Sequence, residues 1–81
     1  MMATYEDVIL NRFRKVITKN KDKKRIQFVY NYHTENNYKQ IETYTIDRII
    51  NELLGGSVTG YSVSCNGNTG RVHISIMRCT K

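Results

Sequence analysis

The stretch YKQIETYTI, residues 38–46, sets how many strands this chain can form. Its tyrosines, isoleucines and threonines suit a pleated, half-buried surface, and the turn residues ENN just before it make it the returning strand of a hairpin. Its register is ambiguous, because Ile41 favours one face while Tyr44 and Ile46 favour the other. The outgoing strand is RIQFVYNYHT, residues 25–34, which alternates strictly. Ile26, Phe28, Tyr30 and Tyr32 point one way, and Gln27, Val29, Asn31 and His33 the other.

Helices flank this hairpin on both sides. Upstream, Thr4 is placed to cap a helix over Tyr5–Lys19, with Asp7 three positions on and Glu6 and Asp7 at the positive helix end. Tyr5, Ile9, Phe13, Val16 and Ile17 share a broad apolar face, with Leu10 at its edge. Downstream, Thr45 would cap a second helix, IDRIINELL, with an apolar stripe of Ile46, Ile49, Ile50, Leu53 and Leu54. Gly55 and Gly56 end it.

The last 25 residues form a second hairpin whose pairing can be derived. Setting Cys65 opposite Val72 puts Val63 opposite Ile74 and Tyr61 opposite Ile76, so the large apolar residues share one face around a GNTG loop. Ser62, Ser64, Arg71, His73 and Ser75 fall on the other. The expected fold is α+β in the order αββαββ, a two-layer sandwich in which a four-stranded antiparallel sheet carries two helices on one face. Residues 1–81 read as a single small α+β domain.

Charge is distributed very unevenly. The net charge is +6, yet eight cations and Asp22 give residues 12–25 a charge of +7 by themselves. Arg12, Lys15 and Lys19 line one flank of the first helix and run into NKDKKR, so Arg12, Lys15, Lys19, Lys21, Lys23, Lys24 and Arg25 form one basic strip. A strip of this kind attracts polyanions. Tyr30 and Tyr32 lie nearby, but they share a face with Ile26 and Phe28 and are expected in the core before they are expected to stack on bases.

Catalytic and cofactor chemistry finds little support. His33, His73, Cys65 and Cys79 lack metal-ligand spacing, so no metal and no cofactor are expected. His33 and His73 could meet across the open sheet as an acid–base pair. However, HIS at 73–75 has no matching second half, and the chain is read as no enzyme. Neither LLGGS nor GNTG has a phosphate-cradling glycine pattern. KRIQFVYN, residues 24–31, lacks the glycine and two of the aromatic positions of the RNA-recognition strand. Cys65 and Cys79 should lie about 23 Å apart on the ladder, too far for a disulfide, with Cys65 in the core.

The expected function is therefore binding of nucleic acid, DNA or RNA, with the basic strip contacting phosphates. Charge reversal at Arg71, Arg78 and Lys81 should matter much less. The alternative is an interaction protein with a host protein as partner, such as a phage-encoded, anti-CRISPR-like inhibitor of a host enzyme or defence complex. Abundant Asn, Lys, Ile and Tyr suggest a phage, viral or low-GC bacterial origin. With no membrane span and no secretory h-region, the expected location is cytoplasmic, in the host cytoplasm if the source is a phage or virus. Open sheet edges make a homodimer expected, through an edge or helix contact, since the serine-rich face disfavours apolar stacking.

Overall fold

The computed structural model of the protein describes residues 4–78, without the side chains of Ser57 and Thr59. The elements run α1 (Tyr5–Lys19), β1 (Arg25–Asn31), α2 (Tyr32–Glu35), α3 (Thr43–Leu54), a 3-10 turn (Gly55–Ser57), β2 (Val58–Asn66) and β3 (Arg71–Arg78). Helix α1 begins where its sequence signals place it. The Asp7 N–H donates to Thr4 Oγ1 at 3.1 Å and the Thr4 N–H donates to Asp7 Oδ2 at 3.4 Å, a reciprocal capping box. The helix buries Ile9, Phe13 and Ile17, one turn apart.

The expected four-stranded αββαββ sheet is not what the chain forms. The fold is α+β, but the described residues hold three antiparallel strands in the order β1–β3–β2, with three helices. The difference lies in residues 32–46. β1 stops at Asn31, whose Oδ1 accepts from the His33 and Thr34 N–H groups at 2.9 and 3.1 Å and so nucleates the single turn α2. Asn37 and Tyr38 then take positive φ angles of 50° and 67°, which redirect the chain.

The segment YKQIETYTI does not return as a strand, because α3 starts at Thr43, two residues before its expected cap, with Glu42 as its N-cap. Thr45, Ile46, Ile49, Ile50 and Leu54 make one buried helical stripe. Ile41 packs into the core from the preceding loop. The conflict between Ile41 and Ile46 over a strand face thus disappears, since they belong to different kinds of structure. Helical packing of four aliphatic side chains outweighs the β-propensity of a short Tyr/Thr/Ile run.

The second hairpin has the derived register: Cys65 opposite Val72, Val63 opposite Ile74 and Tyr61 opposite Ile76, with a bulge between Val58 and Gly60. β1 pairs along the other side of β3, placing Ile26, Phe28 and Tyr30 opposite Ile76, Ile74 and Val72. These six residues form the sheet side of the core, and α1 and α3 supply the helix side. At the hairpin turn, Gly70 has φ 78°, and a Cβ there would overlap the His33 ring, so a side chain is doubly excluded.

The helices cover β1 and β3 but not the outer part of β2. Cys65, expected in the core, is therefore an exposed free thiol. Val63 is 39% exposed. Register alone assigns them the right face, but an edge strand beyond the reach of the helices leaves that face uncovered. Cys79 lies outside the described residues. Arg78, its neighbour, pairs with Val58, at the end of the hairpin away from Cys65.

Candidate nucleic-acid interface

The strip is built by the turn from α1 into β1. Asn20 ends the helix, its N–H shared between the Val16 and Ile17 carbonyls and its side-chain amide donating to Val16 O at 2.8 Å. The Lys23 N–H then donates to Asn20 O at 3.0 Å, folding the loop back toward the sheet. This holds the loop backbone while Lys21, Lys23 and Lys24 stand exposed. Lys15 and Lys19, also exposed, share the flank of α1 that leads into the loop.

The other cations of the segment are already committed. Arg12 pairs with Glu35, donates to Val29 O at 3.4 Å and lies 5.3 Å from the centre of the Phe28 ring. Arg14 pairs with Glu52 on α3 at 3.3 Å. These are the ion pairs among the described residues, and both tie α1 to its neighbours. Arg12 thus belongs to the protein's own architecture more than to an open contact surface. The five lysines have no such partner, and Arg25 has only a 3.3 Å contact from Nε to Met77 Sδ.

Antiparallel pairing adds a residue that a count along the chain places far away. The Arg78 N–H donates to Lys24 O at 2.8 Å, which seats Arg78 beside the loop. Its Nε is shielded from solvent with no hydrogen-bond partner. The hairpin register carried this information, but using it requires knowing that β3 lies between β1 and β2. Arg71, in contrast, pairs with Asn31 and Asn66 at the far end of β3.

The sheet face away from the helices is mostly uncharged and carries cations only at its two ends, Arg25 beside the strip and Arg71 at the far end. Its rows are Arg25–Met77–Gly60, Gln27–Ser75–Ser62, Val29–His73–Ser64 and Asn31–Arg71–Asn66, with no carboxylate among them. A shallow groove of about 500 Å³ beside Arg25 is lined by Gly60, Tyr61, Ser62, Ser75 and Met77. Aromatic stacking on this face has no means. Tyr30 and Tyr32 are buried at 3% and 7% exposure, and burial pushes the Tyr30 hydroxyl above its ordinary pKa although the Ile41 N–H donates to it.

The histidines do not meet. The His33 ring rests on Gly70 and between Tyr32 and Tyr38, with ring centres 4.6 and 4.8 Å away. His73 sits mid-strand, three residues beyond Gly70, about 10 Å along the strand. No cluster of three metal-ligating side chains occurs among the described residues, and no described helix is long and apolar enough to cross a membrane. No protein-family model, curated protein or solved structure matches this chain.

Proposed function

We propose that this protein binds nucleic acid through its phosphate backbone, using Lys15, Lys19, Lys21, Lys23, Lys24 and Arg25, with Arg78 completing the surface from β3. One observation carries the proposal. Among the described residues, the chain's own carboxylates pair with Arg12 and Arg14, yet leave Lys15, Lys19, Lys21, Lys23, Lys24 and Arg25 exposed and without an ion pair, with the half-buried Arg78 beside them. A row of unpaired cations held on a helix flank and an anchored loop suits release of counterions from a polyanion. Without exposed aromatic residues on the adjoining sheet face, base stacking contributes little, so the binding is weakly sequence-specific and works by position and charge. The setting that fits is cytoplasmic, in a bacterium or an infected host cell.

Where the ligand touches can be read by titrating nitrogen-labelled protein with a short oligonucleotide at low salt and following the backbone amide resonances. Shifts are expected to cluster at residues 15–25 and 76–78, with residues 46–54 of α3 unmoved. Shifts centred on α3, or none at all, would contradict the proposal.

A further inference from the structure

The two edges of the sheet are treated differently. Along β1, the Val29 carbonyl accepts from Arg12, the Asn31 N–H donates to Glu35 Oε2 at 2.7 Å, and Arg12 and Glu35 pair with each other. One ion pair thus occupies the outward backbone groups at that end of the edge, a recognised way to stop a strand from recruiting another chain. Among the described residues, no such ion pair occupies β2 along Gly60–Asn66.

The phase of the ladder shows what β2 offers. The bonds from Arg78 N–H to Lys24 O and from Tyr32 N–H to Gly70 O are 2.8 Å each and mark the bonded pairs between β1 and β3. Alternation along β3 then turns Arg71, His73, Ser75 and Met77 toward β2, where they face Asn66, Ser64, Ser62 and Gly60. Tyr61, Val63 and Cys65 are left with their N–H and C=O groups directed outward. Their side chains stand on the helix side of the sheet, but beyond the helices Val63 and Cys65 are exposed.

We propose that this edge pairs with the same edge of a second copy, the two β2 strands running antiparallel about a two-fold axis through Val63. Charge selects the occupant. The chain carries +6 and repels itself over most of its surface, whereas VTGYSVSCN contains no charged residue and no proline. Self-pairing therefore brings no like charges together across the strands. An axis through Val63 also gives full overlap of Gly60–Asn66. Val63 meets the same residue of the second copy, Tyr61 meets Cys65, and all three outward-facing residues exchange backbone hydrogen bonds. The exposed apolar side chains then cover one another, and the result is a continuous six-stranded sheet with a basic strip near each outer end. This inference stands apart from the nucleic-acid proposal.

Sedimentation equilibrium of the wild-type protein should give a dimer at tens of micromolar. Val63→Pro should give a monomer with an unchanged circular-dichroism spectrum, because the lost N–H faces outward and proline is tolerated at such edge positions. Should that variant fail to fold, a second one decides the matter. Val63→Cys in a Cys65→Ser, Cys79→Ser background places the two thiols on residues whose Cα atoms are about 5.5 Å apart across the axis, within disulfide reach. Mild oxidation should then give a covalent dimer. A wild-type monomer at the highest concentration reached, a dimeric Val63→Pro variant, or a Val63→Cys variant that does not cross-link would overturn the inference.

Discussion

Replacing Lys21, Lys23, Lys24 and Arg25 together with Glu is expected to reduce affinity for a short oligonucleotide at low salt by at least about a hundredfold. Four cations become four anions, and the chain goes from +6 to −2. The lost contacts are then compounded by repulsion between the new carboxylates and the phosphates. The fold should survive, because the loop is held by backbone bonds from Lys23 N–H to Asn20 O and from Arg78 N–H to Lys24 O, neither of which uses the replaced side chains. Far-ultraviolet circular dichroism checks that point. Arg71→Glu, a single reversal at the opposite end of β3, is a control for position and should change affinity by only a fewfold. Arg78 is unsuitable as a control because it sits beside Lys24. If the fourfold variant binds like wild type, the strip is a solvated surface and protein–protein interaction becomes the better reading.

The largest effect on stability should come from Phe13→Ala. Phe13 is 1% exposed and lies between the helices and the sheet, its ring centre 5.2 Å from that of Phe28. Truncating a buried phenylalanine costs about 3–5 kcal/mol through lost burial and the cavity left behind. Total stability at about 0.05–0.15 kcal/mol per residue comes to about 4–12 kcal/mol for a chain this size. The variant should therefore lose about a quarter or more of its stability, and its urea midpoint should fall accordingly. The Phe28 face would also lose its neighbour while still facing Arg12, so α1 should loosen first. A loss below about 1 kcal/mol would mean that α1 does not pack on the sheet as described.

Elements specified by local chemistry were legible in the sequence. The Thr4–Asp7 capping box and the spacing of Ile9, Phe13 and Ile17 fix α1, and the alternation of Tyr61, Val63, Cys65 against Val72, Ile74, Ile76 fixes the β2–β3 pairing. What failed depended on tertiary choice. Residues 38–46 have strand-like composition, and only the continuous stripe from Thr45 to Leu54 packing against the core draws Thr43–Ile46 into a helix and leaves residues 38–42 as a loop. Register alone gives Cys65 the correct face, but its exposure depends on how far the helices reach. At the candidate interface, the seven cations were visible as a cluster. The pairing of Arg12 with Glu35 and the arrival of Arg78 beside Lys24 are contacts between residues 23 and 54 positions apart, which a charge count along the chain cannot register.

The most direct measurement for the central claim is the salt dependence of oligonucleotide binding by the wild-type protein, followed by fluorescence anisotropy. Neutralising four to six phosphates with the strip should make the logarithm of the association constant fall linearly with the logarithm of salt concentration, with a slope of about −3 to −5. The slope should hold for unrelated sequences, because backbone contacts carry no sequence information. No binding at low salt, or binding whose slope stays near zero, would contradict the account.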